Sequence, residues 1–334
     1  KSDSDLSQIS SRSNSAGVLP TDSIKYKSVS SKPTVTSKDI ISQSSFSSSS
    51  SPAPTRSLFN LFSPSSSAKK SAANAMRETV TVILPCQLGE GRDYETLVQT
   101  LKERGIMSVV TPLKRLDWPI GLIPSFFSVA YFQGTLQPSK TLAFYFNRID
   151  EIVEKVLAET PDVELNLLGH SIGGWVARAW LSEWCSPAVR DRVRRVVTLG
   201  SPHNPPPAES ALAAADQTRG LLSYINDNFP GAYEKSVVYT SVIGTGVKGT
   251  LKGGLSSALA LVSYSALAGD GQTVGDGIIP LSTACVTDWN TVELEDAAHS
   301  NFLPLLPGQN LQLPIKWYGS EEIIDDWINA LSIR

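Results

Sequence analysis

The sequence predicts an α/β fold in which a mostly parallel central sheet carries helices on both faces. Short apolar runs rich in β-branched residues recur at 79–84, 163–168 and 193–199. Longer helical segments lie between these runs, for example at 139–157. Strands that alternate with helices at this spacing form βαβ units, and the strands of such units pair in parallel.

The predicted elements follow one another from residue 79 to residue 331. The first apolar run ends at Pro85, and its continuous apolar character is typical of a strand buried on both faces. In chain order the elements are a strand at 79–84, a helix at 94–104, a strand at 106–110, a helix at 139–157, strands at 163–168, 193–199, 236–243 and 291–294, and a closing amphipathic helix at 320–331. No apolar run reaches the length of about 20 residues that a helix needs to cross a bilayer.

Two stretches do not fit this alternation and are interpreted as insertions beside the sheet. Residues 118–132 are apolar and aromatic but are interrupted by two prolines and a glycine, whereas residues 244–275 are rich in Gly, Ser and Ala. The first stretch predicts a lid or an acyl-binding wall, with Trp118, Phe126 and Phe127 lining a substrate pocket. The alternative is a loop that packs on the core.

The first 77 residues are predicted to be a disordered tail, and residues 78–334 to be one folded domain. The tail contains 26 serines and few aromatic residues, so it cannot bury enough apolar surface to offset the entropy of ordering. A Ser-rich, basic and acid-poor composition is typical of a plastid or mitochondrial transit peptide, and a plain disordered tail is the alternative. Of the locations that this composition allows, we expect a plastid, with a mitochondrial or cytoplasmic location as the alternatives.

Charge and metal-ligating residues narrow the class of protein. The tail holds ten Lys and Arg against four Asp, whereas the domain has 19 basic and 28 acidic residues. A nucleic-acid partner is disfavoured, because phosphate binding needs a basic face. Cys86, Cys185 and Cys285 are too scattered for a zinc site or a disulfide framework, and they mildly favour a reducing compartment. With only three histidines as well, we expect no metal and no other cofactor.

A candidate nucleophile lies in Gly169-His-Ser-Ile-Gly173, which matches the pattern Gly-x-Ser-x-Gly. In this pattern the serine lies on a sharp turn from a strand to a helix, and side chains at the glycine positions would collide with neighbouring backbone. The preceding run 163–168 is a predicted strand, and an amphipathic helix is predicted to follow. This context favours Ser171 as a nucleophile over an incidental serine in a tight turn.

A serine hydroxyl is a weak nucleophile at neutral pH, so it needs a base to take its proton and an acid to orient that base. His299 is the only histidine far beyond Ser171, and it lies between a predicted strand and the last helix, so it is the candidate base. His170 is expected to point away from Ser171 within the turn. His203 follows the next strand and is interpreted as a pocket-lining or structural residue.

Asp276 is the candidate acid. It lies between two glycines, 23 residues before His299, in a loop that can reach the site. Asp270, Asp288 and Asp296 compete for this role, but each is more simply interpreted as a solvated loop charge.

Acyl transfer also requires backbone N–H groups that hold the developing oxyanion. One is expected at Ile172, directly after the nucleophile. The second should follow the first strand, at Gln87 or Leu88. Cys86 is interpreted as a small buried spacer rather than a reactive thiol, because no base lies near it in the sequence.

Eight ordered segments carry a resemblance to a known family. They are Val82-Ile-Leu-Pro85, Tyr94-Glu-Thr-Leu97, Gly134-Thr-Leu136, Leu168-Gly-His-Ser-Ile-Gly-Gly-Trp-Val-Ala-Arg178, Leu199-Gly-Ser-Pro-His203, Asp216-Gln-Thr-Arg-Gly-Leu-Leu222, Gly275-Asp-Gly-Ile-Ile-Pro280 and Trp317-Tyr-Gly-Ser320. Over residues 79–331 the chain resembles the plant and algal plastid-type α/β-hydrolases, which are related to lipases and to GPI inositol-deacylase-like proteins. It departs from the family at Cys86, where the family usually has glycine.

The resemblance implies the α/β-hydrolase fold and a triad of Ser171, Asp276 and His299, in agreement with the residues themselves. It implies a hydrolase of carboxylic esters, and the apolar stretch 118–132 favours lipid-like acyl esters. An acyltransferase with the same triad, a non-catalytic binding protein and, more weakly, a peptidase are the alternatives. The expected partner is a small-molecule or lipid ester, and peripheral contact with a membrane is compatible with the apolar stretch.

Overall fold

Ten strands form the sheets of the protein in a computed structural model that describes residues 78–207 and 216–332. In chain order they are β1 (Thr79–Leu84), β2 (Met107–Val110), β3 (Glu164–His170), β4 (Val193–Leu199), β5 (Val238–Gly244), β6 (Val247–Lys248), β7 (Val274–Gly275), β8 (Asn290–Leu294), β9 (Phe302–Pro304) and β10 (Asn310–Gln312). The predicted tail at 1–77 lies outside the described residues, so the domain division and the transit peptide stay predictions.

The central sheet has six strands in the order β2-β1-β3-β4-β5-β8, and every neighbouring pair is parallel. This confirms the predicted parallel sheet. The other strands form two small antiparallel ribbons, β6 with β7 and β9 with β10.

Eleven helices surround the sheet within the described residues. They are α1 (Glu95–Glu103), α2 (Asp117–Phe126), α3 (Val129–Gln133), α4 (Pro138–Thr141), α5 (Ala143–Glu159), α6 (Ile172–Ala179), α7 (Pro187–Arg190), α8 (Leu221–Asn228), α9 (Leu255–Ala268), α10 (Leu281–Ala284) and α11 (Glu321–Ile324). None of these described helices combines the length and the apolar character that crossing a bilayer requires.

Hydrophobic clusters cover both faces of the sheet. Alternate residues of a strand point to opposite faces, and Val82 and Ile83 accordingly enter two different buried clusters. The first cluster includes α5 and α6, and the second includes α1 and the buried aromatic side chains near the C-terminus. Helices therefore lie on both faces of the sheet, as predicted. In such folds, binding sites form in the loops at the carboxyl ends of the strands.

The prediction of one closing helix over residues 320–331 is wrong in its extent. The α-helix ends at Ile324, and a turn then leads to a 3₁₀ segment at Ile328–Leu331. The amide of Trp327 donates to the oxygen of Ile324, three residues earlier, while the indole N–H donates to the oxygen of Tyr318 at 2.8 Å. Burying this indole in the core therefore competes with a regular helix.

The two stretches interpreted as insertions form helices of their own. Residues 118–132 lie mostly in α2 and α3, and residues 244–275 contain α9 between β6 and β7. Trp118 anchors α2 because its side chain is buried against Phe144 and Tyr145. The first stretch thus packs on the core at one end and carries exposed apolar side chains elsewhere.

Candidate active site

Ser171 lies on the turn between β3 and α6. Its backbone has φ 56° and ψ −126°, a conformation that is rare for residues other than glycine and that is typical of a nucleophile on a strand-to-helix turn. The turn is crowded on both sides. A Cβ on Gly169 would lie 2.4 Å from the Cα of Gly174, and one on Gly173 would lie 2.2 Å from the backbone oxygen of Leu84.

We expect Gly173→Ala to lower the free energy of unfolding by about 1–3 kcal/mol, because backbone of the first strand has to move to accept the added methyl. Gly91→Ala is the matched control, since a Cβ there meets nothing within 4 Å, and its effect should stay within about 0.5 kcal/mol. Urea denaturation of both variants measures the difference. Equal stabilities would contradict the steric role of Gly173.

Asp276 and His299 are in direct contact. The Nδ1 atom of His299 lies 2.8 Å from Oδ2 of Asp276, and the backbone amide of His299 donates to the backbone oxygen of Asp276 at 2.9 Å. The side chain of Asp276 is fully buried, and that of His299 is 14% exposed. Because the carboxylate accepts a hydrogen bond from Nδ1, the neutral imidazole carries its proton on Nδ1, and Nε2 can accept a proton.

Ser171 and His299 line the same cavity. Among the described residues, the Ser171 hydroxyl makes no hydrogen bond to His299 within 3.5 Å. Hydrogen bonds of this kind are often long before substrate binds and shorten in the reacting complex, so the arrangement remains compatible with proton transfer.

Asp276 accepts four hydrogen bonds, three of them from residues that were not predicted for the site. Oδ1 accepts from the amides of Ile278 and Ile279 at 3.0 and 2.7 Å. Oδ2 accepts from His299 and also from the hydroxyl of Tyr318 at 2.7 Å. Burial raises the pKa of Tyr318 well above its ordinary value, so it stays a donor. These donors fix the carboxylate in one orientation toward His299.

His170 connects His299, the candidate base, to the loop after β1 through a buried hydrogen-bonded chain. Its Nε2 lies 2.9 Å from the backbone oxygen of His299, and its Nδ1 lies 2.8 Å from the hydroxyl of Tyr94. The hydroxyl oxygen of Tyr94 accepts the amide of Cys86 at 2.7 Å. A carbonyl oxygen only accepts, so Nε2 carries the proton of His170 and Nδ1 accepts from Tyr94. Burial lowers the pKa of His170 to about 3, so this ring is neutral.

The two ends of His170 can be tested separately. In His170→Gln the side-chain amide can still donate to the oxygen of His299, whereas His170→Asn can still accept from Tyr94 but loses that donor. For a reaction that uses His299 as its base, we expect kcat to fall by about tenfold in His170→Asn, because this variant loses the hydrogen bond that positions His299. The fall should be smaller in His170→Gln, and KM should be unchanged in both. The reverse order of the two variants would contradict this role. Melting temperatures control for unfolding.

The loop after β1 presents the candidate second oxyanion donor. The hydroxyl of Tyr145 donates to the oxygen of Pro85 at 2.6 Å, and the amide of Gly89 donates to the oxygen of Cys86 at 2.9 Å. The amides of Gln87 and Ile172 have no acceptor among the described residues outside helices and strands, and both residues line a cavity with Ser171. Leu88 lines neither cavity beside Ser171.

Two cavities meet at Ser171. The helical cavity, of about 290 Å³, lies against α2 and α3 and is lined by residues that include Leu122, Tyr131, Leu136, Trp175, Leu267 and Ile279. The hairpin cavity, of about 490 Å³, lies between α9 and the β9–β10 hairpin and is lined by residues that include Leu259, His299, Phe302, Leu303, Leu313 and Ile315. Gln87, Ser171 and Ile278 line both.

Two of the four predicted pocket residues line a cavity, and two do not. Trp118 and Phe126 line the helical cavity. Phe127 is 83% exposed and lines neither cavity, because it lies at the end of α2 and points into solvent. His203 is fully buried, with its ring 4.7 Å from that of Trp289 and its Nε2 3.1 Å from the hydroxyl of Thr198. His203 lines neither cavity beside Ser171, so of its two interpretations the structural one agrees with its burial.

The competing residues lie elsewhere or are inert. Asp270, Asp288 and Asp296 are exposed, so none of them forms a buried partner for His299. Burial raises the pKa of the Cys86 thiol to about 11, which keeps it protonated at neutral pH. This agrees with its interpretation as a spacer.

Comparison with known proteins assigns the fold. A family model described as the alpha/beta hydrolase fold matches residues 130–236, which include Ser171 and β3, α6 and β4 around it. With the six-stranded parallel sheet and the strand–turn–helix at Ser171, this match identifies the α/β-hydrolase fold. No curated protein sequence is significantly similar to this chain.

Solved structures of low sequence identity resemble the chain in part. The lipase BlEst2 from Bacillus licheniformis, in its mature form, is 12% identical with a TM-score of 0.46, over 79% of this chain and 96% of the lipase. The phospholipase PlaB from Legionella pneumophila is 12% identical with a TM-score of 0.42, over 66% of this chain and 52% of the phospholipase. The narrower relation to plastid hydrolases and inositol deacylases stays a prediction.

Proposed function

We propose that this chain, which has the α/β-hydrolase fold, is a serine hydrolase that cleaves carboxylic esters of apolar acids. One observation carries the proposal. The loops after β7 and β8 bring Asp276 and His299 into a 2.8 Å contact beside the cavity that Ser171 lines, and Ser171 itself has the backbone geometry of a nucleophile. A protein that only binds has no need for these three residue types in this arrangement.

In the proposed reaction, Nε2 of His299 takes the proton of the Ser171 hydroxyl while the oxygen attacks the ester carbonyl. Asp276 stabilises the imidazolium through Nδ1, and the amides of Ile172 and Gln87 donate to the oxyanion. Collapse breaks the bond to the alcohol oxygen, which receives the proton from Nε2. Water, activated by the same imidazole, then attacks the acyl-enzyme and releases the carboxylic acid and free Ser171.

The surface near the cavities supports an apolar, lipid-like substrate. The segments 116–133, 251–269 and 303–315 provide lining residues to the cavities, and together they contain only Asp117 and Lys252 as charged residues. Large apolar side chains on these segments are exposed, with Phe132 at 75%. Exposed apolar surface of this kind marks sites of contact with lipids, ligands or other proteins, and we favour peripheral contact with a membrane or lipid droplet here.

Turnover of 4-nitrophenyl butanoate by the full chain, followed by identification of the products, tests the proposal. We expect butanoic acid as the product, with Ser171→Ala inactive. Addition of a competing alcohol separates the alternative, because an acyltransferase would form a new ester at the expense of the acid. No turnover of the ester by folded protein would contradict the proposal and favour a binding protein.

A further inference from the structure

Two cavities meet at Ser171, and the proposed mechanism predicts which side of an ester each of them would hold. His299 returns its proton to the oxygen of the leaving alcohol, so the alcohol has to lie on the side of His299. His299 lines the hairpin cavity and not the helical cavity. The acyl chain is then directed to the helical cavity, which Ile172 lines. This assignment rests on the proposed function.

The hairpin cavity suits an apolar alcohol. Apart from the triad, its lining is dominated by Val247, Leu259, Phe302, Leu313 and Ile315, and no Lys or Arg is among its described lining residues. The hydroxyls of a glycerol or sugar would lose water there for few partners, and a phosphate would meet no cation, so both are disfavoured. A cavity of about 490 Å³ has room for more than a methyl or ethyl group.

Apolar side chains also make up much of the lining of the helical cavity. Trp118, Leu122, Phe126 and Trp175 line it together with uncharged polar residues such as Thr141 and Gln217, and Arg219 is the only charged residue among its described lining residues. The guanidinium of Arg219 lies 4.7 Å from the ring centroid of Tyr131. An unbranched acyl chain fits such a lining better than a polar acid does.

We propose that the substrate is an ester that is apolar on both sides of its carbonyl, namely a fatty acid joined to a long-chain aliphatic alcohol. Hydrolysis forms the Ser171 acyl bond, breaks the bond to the alkyl oxygen and, after attack by water, yields the acid and the alcohol. Esters with short or polar alcohols are poor substrates, because the hairpin cavity then stays unfilled or buries polar groups without partners.

Four esters in mixed micelles with the full chain test this inference: octyl octanoate, ethyl octanoate, octyl acetate and 1-monooctanoylglycerol. A fully buried methylene contributes about fourfold to affinity. With only part of each chain buried, we expect kcat/KM for octyl octanoate to exceed that of each other ester by at least tenfold. Equal or faster turnover of ethyl octanoate or monooctanoylglycerol would overturn the inference.

Two variants test which cavity holds the alcohol and which holds the acyl chain. Each ester partitions into micelles to the same extent for every variant, so a change in kcat/KM between variants on the same ester does not reflect partition. Leu259→Trp fills the hairpin cavity from an exposed position on α9, and it should reduce the preference for octyl over ethyl alcohol by about tenfold while sparing the preference for octanoate over acetate. Leu122→Trp should have the reverse effect in the helical cavity. If both variants changed the same preference, the assignment would be overturned. Leu313→Trp replaces Leu259→Trp if the latter does not fold.

Failure of the inference can be told from failure of the proposed function. 4-Nitrophenyl acetate has an activated leaving group and no alkyl chain for either cavity to select. Its hydrolysis without a preference for octyl octanoate would therefore leave the serine hydrolase in place and overturn the substrate class. If neither 4-nitrophenyl acetate nor any of the four esters were hydrolysed by folded protein, both would be overturned.

Discussion

Ser171→Ala is expected to lower kcat for ester hydrolysis by about 10⁵- to 10⁶-fold, because in the proposed mechanism Ser171 is the group that forms the acyl-enzyme. The fold should be unaffected. Alanine has the same backbone restrictions as serine at φ 56°, and the hydroxyl that is removed makes no hydrogen bond among the described residues. Steady-state assays with 4-nitrophenyl butanoate on the variant and on the unmodified protein measure the loss in kcat.

Ser236→Ala is the matched control for this variant. Ser236 is exposed and precedes β5 at its amino end, whereas the site lies at the carboxyl ends of the strands. Its activity should stay within about twofold of the unmodified protein, and both variants should keep their melting temperature. More than a tenth of the activity remaining in Ser171→Ala would contradict the assignment of the nucleophile.

Asp276→Asn has the second largest expected effect, a loss of about 10⁴-fold in kcat. Oδ1 accepts from two backbone amides, which cannot become acceptors, so the NH₂ group of an asparagine is expected at the position of Oδ2. There it faces the Tyr318 hydroxyl and Nδ1 of His299, and it can donate to Nδ1 only if that nitrogen carries no proton. The variant therefore favours the wrong tautomer of His299, with the proton on Nε2, where it cannot accept from Ser171.

Asp296→Asn provides the control for the loss of charge near the base. Asp296 is exposed and lies three residues before His299. We expect its kcat to change by less than about twofold, because solvent screens an exposed charge. If Asp296→Asn lost as much activity as Asp276→Asn, the acid would have been assigned to the wrong carboxylate.

The sheet and the turn at Ser171 are predictable because both depend on short stretches of sequence. Buried parallel strands require continuous apolar runs, and β1, β3 and β4 each have one. Gly169 is required by a close contact with Gly174 in the same turn, whereas Gly173 is required by the backbone of Leu84 on the neighbouring strand, so the local pattern predicts the turn but not every contact that it satisfies. The choice of Asp276 depended on its flanking glycines, and it remains a prediction with a geometry that supports it.

The helices α2 and α3 were not predictable from periodicity. Residues 118–132 are apolar on both faces, since Trp118 is buried while Ile120 and Ile123 are exposed, so no polar face marks a helix. Pro119 lies in the first turn of α2, where a proline is tolerated, yet in the sequence it indicates an interruption.

The positioning residues Tyr318 and His170 could not be assigned from sequence because their contacts join distant segments. Tyr318 lies 42 residues after Asp276, and Tyr94 lies 76 residues before His170. Nothing local distinguishes these tyrosines from other buried aromatic residues. The position of His203 after a strand does not decide between a pocket-lining and a structural role, and the contact between its ring and that of Trp289 again joins distant segments.

Covalent labelling of the full chain with a fluorophosphonate, with the modified residue mapped by mass spectrometry, tests the central claim most directly. An activated serine forms the adduct, whereas an ordinary hydroxyl does not. The account predicts one adduct, on Ser171, that is absent in Ser171→Ala and formed far more slowly in His299→Ala. Folded protein that forms no adduct, or an adduct on a different serine, would contradict it.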